Sequence, residues 1–213
     1  MNAIPLPQDA RWLAWAREIE ALAQTSHHYA QNEFERQRAD RLLDIAAEII
    51  AEHSTLPAGA ARVAFAAQPG YVTPKVDVRG AVFAGDDLLM VRESIDGNWT
   101  LPGGWADVGE PPALAAEREV FEEAGLRVRA TRLVAVYDAN RVEGQLPLFH
   151  AYKLVFLCER TGGEVKASSE TSEVAFFPVD ALPTPLSPFR TTPRLLADLL
   201  ALRSDPTRPT VFD

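Results

Sequence analysis

Apolar residues recur at helical spacing in two early stretches of the chain. From Asp9 to about Gln24, Trp12, Ala16, Ile19 and Ala23 fall on one stripe with Trp15 and Leu22 beside it, while Arg17, Glu18 and Glu20 turn elsewhere. Asp9 is the predicted N-cap. After a polar stretch, Thr25 to Tyr29, the same period returns in Phe34, Leu42, Ile45, Ala46, Ile49 and Ile50 and runs to about Glu52. Two helices joined by a short turn make a hairpin too small to bury its own apolar faces. Residues 1–55 are therefore expected to dock on the rest of the chain or, in preference, on a second copy as a homodimer.

Residues 56–74 are rich in Ala, Gly and Pro without sustained period, which predicts a linker of irregular structure. From Lys75 the pattern turns to short apolar runs. Lys75 to Ala84 and Leu88 to Glu93 flank the turn cluster Gly85-Asp86-Asp87, and Trp99 to Leu101 extends the same sheet. Further strands are predicted at Val128 to Tyr137, His150 to Glu159 and Val174 to Val179, with helices from about Pro111 to Ala124 and from Pro193 to Leu202. The mixture, without regular βαβ alternation, is α+β, and residues 75–213 form its main domain.

The chemistry gathers in Leu101-Pro102-Gly103-Gly104-Trp105-Ala106-Asp107-Val108-Gly109-Glu110 and the helix that follows it. Pro111 and Pro112 suit a first helical turn and Gly125 the left-handed residue that ends one. Glu119, Glu122 and Glu123 stand at i, i+3 and i+4, so their carboxylates share one face and are expected within reach of one point. Like charges at these spacings cost an isolated helix roughly 0.2–0.5 kcal/mol per pair, and near a C-terminus the macrodipole opposes them as well. A bound cation reverses that sign. Oxygen-only ligands select a hard ion, Mg²⁺ with Mn²⁺ as a substitute. A bare E-x-x-E-E is most often a solvated face, and the surrounding positions decide otherwise here.

Composition narrows the partners. Thirty acidic against 21 basic residues give a net charge of -9, which opposes binding to a nucleic-acid backbone. Cys158 is the single cysteine, so no intramolecular disulfide forms and a reducing, cytoplasmic setting is expected. No run of 18 uncharged apolar residues occurs, so no membrane span is predicted.

Gly104, Glu110, Arg118-Glu119, Glu122-Glu123 and Gly125, at their observed spacing, resemble the complete signature of the Nudix hydrolases. The resemblance implies a Nudix α/β/α sandwich with a mixed sheet over about Lys75 to Leu202. It also implies metal-assisted hydrolysis of a nucleoside diphosphate linked to another moiety. Glu119, Glu122 and Glu123 would be the metal ligands, with the backbone carbonyl near Gly104 as a further one, and Glu119 and Glu123 would be catalytic. Arg118 and Glu110 look like the family's ion pair that orients the carboxylates. In some members the general base lies outside this motif, and Glu173 and Glu170 occupy such a segment here, so the base is left open between them and Glu123. Arg79, Arg92 and Arg190 are candidates to grip phosphate and Trp105 to meet a base; for each arginine a plain ion pair is the alternative.

The pairing of the N-terminal hairpin with Trp99 to Glu110, Glu170-Thr171-Ser172-Glu173-Val174 and Leu186-Ser187-x-x-Arg190 resembles bacterial CDP-choline pyrophosphatases. In that group the helical unit contributes to a dimer, and related enzymes cleave ADP-ribose or trim RNA 5′ phosphates. The proline that many ADP-ribose pyrophosphatases carry beyond the motif is replaced by Arg141-Val142. The expected substrate is a small nucleoside diphosphate conjugate, CDP-choline or ADP-ribose. A nucleotide-sensing regulator and an RNA 5′-pyrophosphohydrolase are the alternatives.

Overall fold

The computed structural model describes residues 11–68, 70–141 and 148–213. The expected N-cap Asp9 and the residue Val142 lie outside them. Among the described residues, 11–74 with 148–150 form one compact unit, and 75–141 with 151–213 form the other.

The first unit holds α1 (Arg11–Tyr29), α2 (Glu33–His53) and α3 (Ala58–Ala66). The helix α1 runs through the polar Thr25–Tyr29 stretch that was expected to end it; Ala23 and Gln24 are buried while Ser26, His28 and Tyr29 have solvent to face. Asn32 caps α2, its side chain accepting from the Glu35 N–H at 3.0 Å. The helix α3 corrects the expected irregular linker: nine residues lie in a helix whose Ala61 and Phe65 are buried with Leu13, Ala16, Leu43, Ala47 and Ile50. Alanine packs close without marking a period, which is why composition alone suggested a linker. Gln24 Nε2 donates to the Phe65 carbonyl at 2.5 Å, and Arg62 pairs with Asp40 and Asp44 at 2.8 and 3.0 Å.

The second unit is a mixed sheet between helices. Its strands are β1 (Lys75–Ala84), β2 (Asp87–Glu93), β3 (Trp99–Thr100), β4 (Leu126–Asp138), β5 (Ala151–Gly163), β6 (Thr171–Pro178) and β7 (Val211–Phe212), with α4 (Pro112–Ala124) and α5 (Pro193–Ser204). The strand order is β3-β2-β1-β5-β4-β7, with β6 paired to β2. The pair β1–β5 is parallel and β4–β5 antiparallel, so the expected α/β/α arrangement is present. Period-2 alternation splits β1 between two cores. Val78 and Val82 meet Ala115, Ala116, Val120 and Ala124 of α4 on one face, whereas Ala81 and Phe83 meet the α5 cluster containing Leu195 and Leu199 on the other. Each fully buried leucine or valine contributes about 1.5–3 kcal/mol of transfer free energy. Cys158 packs in the α4 core, where burial pushes its thiol up to about 12 and leaves it unreactive. No helix among the described residues is long and apolar enough to cross a membrane.

Candidate active site

Two glycines and one helix end build the site. The chain leaves β3 through Leu101 and turns back along β1, where the Val78 N–H donates to the Gly104 carbonyl at 2.8 Å and the Gly80 N–H to the Pro102 carbonyl at 2.9 Å. This lays the glycine-rich loop on the strand beside α4. Gly125 closes α4 in the left-handed conformation, φ 70°, its N–H donating to the Phe121 carbonyl. Thr171 Oγ1 donates to the Glu123 carbonyl at 2.8 Å, which fastens the last turn of α4 to the start of β6.

Glu123 is 5% exposed and accepts from the Gly103 N–H at 3.0 Å. Burial raises its pKa to about 8, against the opposing pull of Arg79 and of the Gly103 N–H. Glu119 is also buried and its pKa also raised by burial, partly offset by Arg118. Its carboxylate lies under Gly104, where an added Cβ would stand 3.0 Å from both oxygens. Glu122 is exposed on the next turn.

Arg118 organises the rest. Its Nε and Nη2 take Glu110 in a fork at 3.0–3.2 Å, and its Nη1 donates to Glu119 and to Glu122 at 2.9 Å each. Nη2 also donates to the Trp105 carbonyl at 3.3 Å. These bonds hold the Arg118 pKa above its ordinary value and depress that of Glu110.

The expectation that the three glutamates converge on one point is corrected. Glu119 and Glu122 accept from the same nitrogen, Arg118 Nη1, at 2.9 Å each, whereas Glu123 turns to the Gly103 N–H at 3.0 Å. Among the described residues no three acidic, histidine or cysteine side chains are gathered to share one ion. The donor set nevertheless fits a divalent cation: it is all oxygen, Glu119 and Glu123 are buried at a cost that a cation would relieve, and the missing Cβ of Gly104 leaves room over Glu119. The Gly104 carbonyl spends one lone pair on Val78.

Other expected site residues fall elsewhere. Arg79 is 4% exposed and closed in a fork on Asp77 at 2.8 and 2.9 Å, with its Nη1 donating to the Leu101 carbonyl. It lies under the loop, a buried ion pair and not a phosphate grip. Arg92 and Glu173 close on each other at 2.6 Å across β2 and β6, and Arg92 Nε donates to the Gly97 carbonyl. Glu170 is exposed, and its carbonyl accepts from Ser94. Trp105 is half exposed beside Arg118. Arg190 pairs with Asp96 at 2.8 Å and with Glu93 at 3.6 Å.

Sequence reasoning passed over Asp77, Glu93 and Lys153. Glu93 acts electrostatically on both Glu123 and Arg79. Lys153 is buried and donates to Asp77 Oδ1 at 3.2 Å. A charged residue at an inward position of β5, in line with the buried Ala151 and Val155, was the available signal for it.

Comparison with known proteins follows the two units. A model of the NUDIX domain matches residues 73–198, and one described as a UDP-X-like, N-terminal oligomerisation domain matches residues 10–65. YjhB of Bacillus subtilis (strain 168), provisionally named an ADP-ribose pyrophosphatase, is 37% identical over 203 residues, spanning 95% of this chain and 97% of that protein. An ADP-ribose pyrophosphatase of Methanocaldococcus jannaschii is 32% identical over 116 residues, 53% of this chain and 67% of that one. Among solved structures, a UDP-X diphosphatase aligns over 97% of this chain and 100% of its own, with TM-score 0.62 and 28% identity. An ADP-ribose pyrophosphatase from Streptococcus suis 89-1591 covers 66% of this chain and 100% of its own, with TM-score 0.59 and 40% identity.

Proposed function

Because the chain belongs to the Nudix hydrolase family, we propose that it uses Mg²⁺, or Mn²⁺ in its place, to split the diphosphate of CDP-choline or ADP-ribose. The observation that carries this reading is the pairing of Glu119 with Gly104 and of Glu123 with Gly103, which sets two buried carboxylates against a backbone that can come close to them.

In this reading Glu119, Glu122 and Glu123 hold the cation, and the Gly104 carbonyl has a lone pair left to join them. A divalent ion supplies neutralisation of phosphate charge and a more acidic bound water. Arg118, anchored by Glu110, keeps Glu119 and Glu122 aimed while the site is without metal, a task that outer partners of metal ligands commonly perform. Water adds to one phosphorus, the bridging P–O bond breaks, and the proton released goes to the Glu123 carboxylate. Glu170 and Glu173 take no part in this account. Arg190 meets the diphosphate charge at the entrance and Trp105 offers an exposed ring to the base. The helical unit pairs two copies into a homodimer, in keeping with the oligomerisation domain it resembles.

The test incubates the protein with CDP-choline, ADP-ribose, NADH, dinucleoside polyphosphates and triphosphorylated RNA, with Mg²⁺, with Mn²⁺ or with EDTA, and resolves products by chromatography. CMP with phosphocholine, or AMP with ribose 5-phosphate, formed only with metal is the expected result. Nucleotide binding without turnover across the panel would overturn the proposal.

A further inference from the structure

Lys153 has no part in the reaction just described, yet its position is expensive. The residue is 4% exposed, and lysines so buried are rare without a partner. Among the described residues its carboxylate partner is Asp77, already closed on Arg79, so that anion serves two buried cations. Burial pushes the Lys153 ammonium down to about 8. A methionine of similar length would fill the same space without that desolvation, and Asp77 would keep Arg79 as its partner. Packing therefore gives no account of an ammonium here, and its second hydrogen bond does.

That bond goes to the Arg190 carbonyl at 3.3 Å. Arg190 lies in a short segment whose flanks are tied to β3: the Ser187 N–H donates to the Trp99 carbonyl at 2.8 Å, and Thr191 Oγ1 meets Thr100 Oγ1 and the Leu101 N–H at 2.8 Å each. Between these flanks, the backbone of Arg190 is held from below by Lys153. Its guanidinium leaves from the same residue toward Asp96 at 2.8 Å and Glu93 at 3.6 Å. Glu93 in turn faces Glu123 electrostatically. The buried ammonium and Glu93, on the strand beside the glycine loop, are thus joined through Arg190.

We propose that Lys153 is a positioning residue for substrate: by holding the Arg190 carbonyl it fixes the origin of the Arg190 guanidinium at the edge of the glutamate site, where the diphosphate of the substrate arrives. The inference rests on the reading of Arg190 as a phosphate-binding group. It assigns a specific task to a residue outside the glutamate motif, exerted through another residue's backbone and not through contact with the substrate.

A double-mutant cycle tests it, with Lys153→Met, Arg190→Ala and the pair together in the full chain. KM and kcat are measured with ADP-ribose and Mg²⁺, and the Kd of α,β-methylene ADP-ribose, which cannot be hydrolysed, is measured by calorimetry. Each single variant is expected to raise KM and Kd by about tenfold with kcat within about twofold, the pattern of lost binding. The double variant is expected to be no worse than Arg190→Ala alone, because a misplaced backbone has no guanidinium left to misdirect. Losses that multiply to about a hundredfold would show that Lys153 acts independently of Arg190 and would overturn the proposal. Unchanged KM and Kd in Lys153→Met would also overturn it. Unchanged values in Arg190→Ala would remove the phosphate-binding reading and this inference with it, while metal-dependent turnover by the wild type stands as a separate result. Should Lys153→Met show no thermal transition, Lys153→Gln, which keeps an N–H donor but no charge, takes its place: partial retention of affinity is expected, and a loss in the Arg190→Ala background overturns the inference.

Discussion

Gly104 presses on Glu119 so closely that a Cβ at residue 104 would stand 3.0 Å from each carboxylate oxygen and 3.1 Å from the carboxyl carbon. The carboxylate would have to yield by a few tenths of an ångström, and Arg118 would have to follow it. Gly104→Ala is expected to lower kcat/KM by about 10- to 100-fold, the scale of a small displacement at a reacting centre. Melting should barely change. Wild-type kinetics in Gly104→Ala would show that Glu119 has no task tied to its present place.

Glu123→Gln separates function from stability. The folded-state pKa of Glu123 is raised from 4.5 to about 8, so its contribution to stability is present below 4.5 and lost as pH rises through 8. In EDTA at pH 8 the neutral glutamine is expected to stabilise the protein by about 1–2 kcal/mol, roughly 3–6 °C in Tm. Turnover with Mg²⁺ should fall by about 10²- to 10⁴-fold, the range for a lost proton acceptor. A variant that melts lower in EDTA, or one that keeps full turnover, contradicts the assignment.

Arg118 spends its guanidinium on three carboxylates, so its replacement should act through them. Arg118→Ala is expected to weaken Mg²⁺ affinity by about 10- to 100-fold, as loss of an outer partner of metal ligands does. Arg118→Lys should recover little, since an ammonium cannot take Glu110 in a fork while donating to Glu119 and Glu122. Titration of activity against Mg²⁺ reads this directly: an unchanged half-saturation point would confine Arg118 to the fold.

Glu20 predicts a pH dependence in the helical unit. It is 4% exposed on α1, its Oε1 has no hydrogen-bond partner among the described residues, and burial raises its pKa to about 7. A folded pKa above the unfolded value means stability that is complete below 4.5 and lost as pH rises through 7. The Glu20→Gln variant should be more stable than the wild type by about 1–3 kcal/mol at pH 8 and nearly equal to it at pH 4.5. Melting curves of both proteins across that range settle it; parallel curves would exclude Glu20 as the titrating group.

The sequence was most readable where local rules decide structure. The strand β1 follows its apolar run and the Gly85 turn, and α4 is bounded by Pro111 and Gly125 as their backbone preferences require. The three glutamates were legible from their spacing together with the family resemblance, and Glu110 and Arg118 through that resemblance. What escaped depended on distant partners. The helix α3 has no side-chain cap and shows its apolar face only against α1 and α2. The strand β7 is two residues long and exists through its pairing with Ala135 and Val136. Arg79 closes on Asp77 within β1, but its burial and the sharing of Asp77 with Lys153 come only with the pairing of β5. The mutual closure of Arg92 and Glu173 likewise depends on β2 pairing with β6.

The parallel pairing of β1 with β5 joins residues 76 apart in the chain, Asp77 and Lys153 among them, and everything between them, including the glycine loop and α4, is a closed excursion from that pair. Closing so long a loop costs conformational entropy before its contacts repay it, so such pairs form late and slowly. The hairpin of β1 with β2 and the helix α4 can form on their own much earlier. Gly103 and Gly104 meet Glu123 and Glu119 only once the loop has been laid along β1. Competence to bind a divalent metal is therefore expected to appear during refolding after helical structure has formed.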